Sequence, residues 1–177
     1  FNLGTDDIPV MNGVLRISYD TGVVTLLNHG SEHMFTFKLP VKYDPDVPNT
    51  LVMNLFSQWV DPENVDRLLQ IPSQSLLQVQ TGRAYKKAHL LQGIGNNGKT
   101  GFVKLNRLFF GVENTSSVSL HQICDSRFAL SELEGKLLNI FDELRDVALE
   151  TIENFKIITG DCSLRIEQKF RQGYTGY

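Results

Sequence analysis

Cysteine is scarce in this chain, tryptophan occurs once, and there are six prolines among 177 residues. Cys124 and Cys162 form no CxxC pair and stand in no His/Cys ligand spacing, so buried free thiols are expected rather than a disulfide or a metal site. No apolar run approaches the roughly eighteen residues that a membrane-spanning helix needs, and no signal-peptide pattern begins the chain. An intracellular, soluble protein with no membrane partner is therefore expected. Excess positive charge is also lacking: a net charge of -3 and a pI near 5.8 argue against an indiscriminate nucleic-acid coat. The charge is uneven, however. Residues 1–66 hold nine Asp or Glu against three Lys or Arg, whereas the remainder holds eleven against fourteen, so a polyanion site is expected in the second half. There is no internal repeat and no low-complexity segment.

Hydrophobic residues make up 41% of the chain, enough for one full core, or for one core and a small appendage. Residues 8–43 read as β-rich. Val14–Ser18 and Val23–Leu27 flank the hairpin-type connection Tyr19-Asp20-Thr21-Gly22, and Phe35, Phe37 and Leu39 alternate with Thr36 and Lys38 as in a half-buried strand. Tyr43–Asn49 is a turn-rich break. From Thr50 the spacing becomes helical: Leu51, Leu55 and Trp59 recur every four residues, Asp61-Pro62-Glu63 opens a second helix, and Val65, Leu68 and Leu69 give it an apolar face. The Trp59 and Leu68-Leu69 stripes are read as core in preference to a partner surface. The expected organisation is a small β-rich appendage at 1–48, a helical region at 49–86, and a nucleotide-binding core at 87–177.

The core contains Gly93-Ile94-Gly95-Asn96-Asn97-Gly98-Lys99-Thr100, a complete GxxxxGK[ST] phosphate-binding loop. The apolar run Ala88–Leu91 precedes it as the expected strand, and Phe102–Phe110 follows with helical spacing. In such a loop, glycines let consecutive N–H groups converge on phosphates, Lys99 brings a point charge to the β and γ phosphates, and the Thr100 hydroxyl can ligate Mg²⁺. Gly93 to Gly101 are thus the candidate contacts for ATP. A second element, Lys136–Glu143, reads as an apolar strand ending in two carboxylates, 43 residues after Lys99. Beside the loop strand, Asp142 would lie near the metal and Glu143 could polarise the attacking water. Lys99, Asp142 and Glu143 are the candidate catalytic residues, and Thr100 and Asp142 the candidate metal ligands.

Ala148–Phe155 reads as a helix, and Ile157–Asp161 as the end of another element. In Ser163–Tyr174, Leu164, Ile166 and Gln168 alternate with Arg165, Glu167 and Lys169, and Gln172-Gly173 makes a turn. Lys169, Phe170 and Arg171 at its tip are candidate DNA contacts, cations for phosphates and an aromatic for sugar or base. An exposed hairpin edge protected by charge is the other reading.

Taken together, the phosphate loop, Arg127–Lys136, Asn139–Glu143 and Thr159-Gly160-Asp161 resemble the superfamily 3 helicases of phage, plasmid and poxvirus-type primase-helicases. Met11–Leu15 and Lys38–Asp46 are similar to the segment that precedes the motor in those proteins, so the likeness covers most of the chain. It implies an α/β fold: a P-loop NTPase core of the AAA+ type, a parallel sheet flanked by helices, preceded here by the small β-rich and helical region. It implies a homo-oligomer, usually a hexamer, that binds ATP between subunits and threads single-stranded DNA. Lys99, Thr100, Asp142 and Glu143 would be the hydrolytic set, Lys169 and Arg171 the gripping hairpin, and Arg127 a further candidate with no assigned role. The family's Thr-Gly-Gly-Asp stands here one Gly short, as Thr159-Gly160-Asp161. Phe1 in first place and the absence of a sensor Asn and arginine finger before Tyr177 lead to the expectation of a longer polypeptide, with a primase domain ahead and the rest of the motor behind. Two other readings stand beside the helicase: a fragment that binds ATP and DNA or oligomerises without unwinding, and a P-loop small-molecule kinase, for which no Arg-rich lid is visible.

Overall fold

Asp7–Val10 (β1) and Gly13–Ile17 (β2) fold back on each other through Met11-Asn12, with Ile8 opposite Leu15 and Pro9 opposite Val14. The computed structural model describes residues 7–18, 20–31, 33, 35–81, 87–126, 128–144, 148–149, 151–160, 164–167 and 173–176, with backbone alone at 77–81, 164–165 and 174–176. Val24–Leu27 (β3) pairs with β2 in antiparallel register, Ile17 opposite Val24, and Gly22 N–H donates to Ser18 O at 2.7 Å to close the expected hairpin.

The expected strand at 35–39 keeps its alternation, since Phe37 and Leu39 are buried while Thr36 and Lys38 are exposed, yet it forms no regular ladder. It runs beside β1 through Leu39 N–H to Pro9 O (2.9 Å) and Met11 N–H to Val41 O (2.8 Å). Pro9 has no N–H to return, so the ladder is broken where the two segments meet. The Asn12 amide supplies the next pair, donating to Tyr43 O and accepting from Tyr43 N–H.

Asp7 is buried at the start of β1 and accepts two hydrogen bonds from Arg16, Nε to Oδ1 and Nη2 to Oδ2, both at 2.8 Å. The Arg16 hydrogen bond holds the Asp7 carboxyl below its ordinary 3.8, against the opposing effect of burial. Because the folded value is depressed, the unfolded chain takes up the proton first as the pH falls. The stabilisation is full above about pH 4 and is lost through the range beneath. Asp7→Asn is expected to cost about 1–3 kcal/mol at neutral pH and to flatten the acid limb of stability measured by urea unfolding from pH 2 to 6. An unaltered acid limb would remove Asp7 from this role.

Thr50–Ser57 (α1) and Pro62–Thr81 (α2) form where helical spacing begins, and Pro62 takes the first-turn position that needs no N–H partner. Lys99–Phe110 (α3) buries Phe102, Val103, Asn106 and Phe110 along one face. Its two ends join different cores. Phe102 packs with Phe56, Val65 and Leu68, whereas Phe110, fully buried, packs with Ile8, Val10, Phe37 and Leu39 of the N-terminal segment. The β-rich segment is thus seated on the C-terminal end of the helix that follows the phosphate loop.

The rest is a mixed α/β arrangement around a small parallel sheet. Thr115–Ser116 (β4) and Leu138–Asn139 (β5) pair in parallel, Thr115 opposite Leu138. The strand expected over 136–143 is shorter because the Asn139 side chain takes over the next rung. Its Oδ1 accepts from Val118 N–H at 2.8 Å and its Nδ2 donates to Val118 O at 2.9 Å. Leu120–Asp125 (α4) starts with a capping box between Ser119 and Gln122, and Glu153–Ile158 (α5) is tied to it by Asn154 Nδ2 donating to Ile123 O. The helix expected at 148–155 therefore begins five residues later. Leu164–Ile166 (β6) and Tyr174–Gly176 (β7) form the expected antiparallel hairpin, Ile166 opposite Tyr174. Among the described residues, no helix is long and apolar enough to cross a membrane.

The strand expected at Ala88–Leu91 is not part of a sheet. This segment has no regular secondary structure, and Leu90 is 70% exposed. It is held to α2 by His89 Nε2 and Gln74 Oε1, 2.8 Å apart, while an apolar cleft of about 570 Å³ separates it from Leu138, Ile140 and Phe141.

Candidate functional site

Gly93 to Gly98 turn directly into α3, and the joint depends on backbone that only some residues adopt. Asn96 has φ 58° and Gly98, the residue capping α3, has φ 85°. A side chain at Gly98 would also meet the ring of Trp59, and a Cβ at Gly101 would lie 2.9 Å from Trp59 Cζ2. The indole thus covers both glycines at the mouth of the helix, and it packs against Phe56 with ring centroids 5.5 Å apart. No side chain caps α3. The first turn of a helix leaves backbone N–H groups without intrahelical partners, and these with the helix dipole make an anion site.

Lys99 folds back into the loop. Its Nζ donates to Gly93 O at 2.8 Å, Ile94 O at 3.0 Å and Asn97 Oδ1 at 2.7 Å, so each of its three protons has an acceptor. Thr100 is exposed on the first turn of α3, and Ile94 is exposed at the loop tip. Beside the loop lies a cleft of about 500 Å³ lined by Trp59, Arg67, Gln74, His89, Gly98 and Lys99 among others. Burial, aided by the nearby Lys87 charge, pushes the His89 pKa below its ordinary 6.5. His89 Nε2 is the donor to Gln74 Oε1, since a carbonyl oxygen only accepts.

Asp142 lies on the surface after β5 and pairs with Arg107 of α3, Nη2 to Oδ1 at 3.2 Å. The same Nη2 donates to Ser117 Oγ at 3.1 Å and Ile140 O at 3.2 Å, so Arg107 gathers the ends of both parallel strands. Arg107 stands seven residues beyond Thr100, about 10 Å along the axis and on the same face. Glu143 is exposed next to Asp142. The structure therefore brings Lys99 together with Gly93, Ile94 and Asn97, and it joins Asp142 to Arg107. Arg127, Lys169, Phe170 and Arg171 lie outside the described residues, as does Asp161.

Residues 91–177 match a family described as a family of unknown function, DUF5906. The match begins two residues before the phosphate loop and takes in α3, the β4–β5 pair, Asp142 and the β6–β7 hairpin. It leaves out the N-terminal sheet and Trp59. A search of curated proteins finds no match to the chain.

Trp59, Arg107, Gln74 and His89 are site residues that the motif does not reveal. A signal existed for one of them. The spacing of seven between Thr100 and Arg107 puts a cation on the Thr100 face of α3, legible once that helix is assumed. Trp59 carried only the four-residue period of a core stripe.

Proposed function

We propose that this chain binds and hydrolyses ATP at the Gly93–Thr100 loop and serves as the motor of a superfamily 3-type DNA helicase, a homo-oligomer, as a hexamer, acting on single-stranded DNA. The nucleotide part is carried by one observation: a loop whose left-handed Gly98 opens directly onto the uncapped N-terminus of α3, with Lys99 turned into the loop and a cleft of about 500 Å³ alongside. Such a joint offers convergent N–H groups and a cation, the chemistry that a triphosphate requires. The cleft has room for a nucleoside beside the loop. The helicase part rests on the resemblance of the motif set from Gly93 to Asp161, and on the basic hairpin sequence that follows it.

Thr100 and Asp142 supply the hard oxygen donors that suit Mg²⁺. Thr100 is exposed at the start of α3, whereas Asp142 is engaged by Arg107 and would have to leave that half-exposed ion pair, worth about 0–1 kcal/mol, to serve as a ligand. Mg²⁺ held by these residues would neutralise negative charge on the triphosphate. Lys99 holds the phosphates, the N-terminus of α3 orients them, and Glu143 is positioned in sequence to take the proton of the attacking water.

The ion pair of Asp142 favours a second reading, in which the chain binds ATP, DNA or its own copies without unwinding. One set of measurements separates the two. With Trp59, the sole tryptophan, packed against the loop, ATP should change its fluorescence, and Lys99→Ala should weaken ATP affinity about 10- to 100-fold in a protein that still unfolds cooperatively. Equal affinity in the variant would sink the nucleotide site. Turnover raised by single-stranded DNA supports the motor, whereas tight binding with no DNA-stimulated turnover supports the second reading.

A further inference from the structure

The GxxxxGK[ST] pattern leaves the residue at 97 open, yet Asn97 spans the whole loop. Its Oδ1 accepts from Lys99 Nζ at 2.7 Å, the shortest of the three bonds made by that ammonium. Its Nδ2 lies over Gly93, where an added Cβ would collide with it, so Gly93 has to be a glycine for the amide to lie there. Asn97 also lines the 500 Å³ cleft together with Gly98 and Lys99.

Of the three acceptors, Gly93 O and Ile94 O belong to the backbone of the loop and are fixed with it. The Asn97 amide can leave by rotating about its own side-chain bonds. An incoming phosphate oxygen needs one proton of the ammonium, and the Asn97 amide can give one up while Lys99 keeps both backbone acceptors. We propose that Asn97 is a latch: it holds Lys99 inside the loop and is displaced by the triphosphate as it binds, making Asn97 a positioning residue that sets affinity. This rests on the reading of the loop as a nucleotide site.

The direction of the effect follows. Asn97→Ala leaves Lys99 with two acceptors before binding and nothing to displace. Asn97→Asp replaces a neutral acceptor by a carboxylate that pairs with the ammonium and repels phosphate.

The experiment uses the whole chain and has two arms. In the first, Lys99 of the nucleotide-free protein is acylated with acetic anhydride, and its rate is followed by peptide mass spectrometry with exposed Lys104 of α3 as internal reference. Asn97→Ala should raise the Lys99 rate about fivefold and leave Lys104 unchanged, as expected for loss of one hydrogen bond. In the second, ATP affinity is measured by titration. Asn97→Ala should bind about fivefold tighter and Asn97→Asp at least tenfold more weakly. An unchanged Lys99 rate in Asn97→Ala overturns the latch whether or not ATP binds. A faster Lys99 with unchanged or weaker ATP affinity overturns the displacement. If ATP binds to neither protein, the nucleotide reading fails, and the acylation rates alone decide whether Asn97 holds Lys99.

Discussion

Replacing Gly98 by alanine is expected to remove about 2–5 kcal/mol of stability and to abolish triphosphate binding. Two costs add. A residue with a Cβ held at φ 85° costs about 1–2 kcal/mol. The added methyl also enters the space of the Trp59 ring, and overpacking of that kind costs about 1–3 kcal/mol. Trp59 is held by its packing against Phe56, which is itself buried against Phe102 of α3. The loop must therefore shift away from the N-terminus of α3, and the N–H groups no longer point at one anion. Urea unfolding and ATP titration of the same variant check both halves. Full affinity in a protein destabilised by several kcal/mol would show that the joint matters for folding alone.

Phe110→Ala is expected to cost about 3–5 kcal/mol, among the largest effects of any single truncation in the chain. Phe110 is the residue through which the far end of α3 enters the core of Ile8, Val10, Phe37 and Leu39, and Phe109 meets it edge-on at 5.1 Å between ring centroids. Little of the resulting cavity can collapse, since β1 is pinned by its pairing with β2 and by Asp7 to Arg16. Amide exchange in β1 and β2 should accelerate together with that of α3. A loss under about 1 kcal/mol, with exchange in the N-terminal sheet unaltered, would show that this sheet does not support the helix behind the loop.

Residues close together in the chain were the legible ones. The loop at Gly93–Thr100, the start of α2 at Pro62, the β2–β3 hairpin and the β6–β7 hairpin each depend on a handful of consecutive residues. The alternation of Phe35–Leu39 likewise foretold which side chains are buried, but not that Pro9 would interrupt the ladder. Ala88–Leu91 reads as a strand for the same local reasons. Its place was decided by His89 meeting Gln74 of α2, a contact that no period in the sequence encodes. The two-residue length of β5 follows from Asn139 bonding to Val118, and the start of α5 is held by Asn154 bonding to Ile123. Polar side chains that replace backbone partners leave no hydropathy signature.

For the site, the sequence by itself determined the loop composition, the sign and place of the Lys99 charge, and the carboxylates at 142 and 143. These follow from which atoms a residue carries. Only the tertiary structure decided what those groups touch: Lys99 closed on Gly93, Ile94 and Asn97, Gly98 and Gly101 roofed by Trp59, and Asp142 engaged by Arg107. The physical reason is range. Backbone conformation and charge are local properties, whereas a hydrogen bond or a ring face is settled by whichever distant segment packing brings within about 3–4 Å.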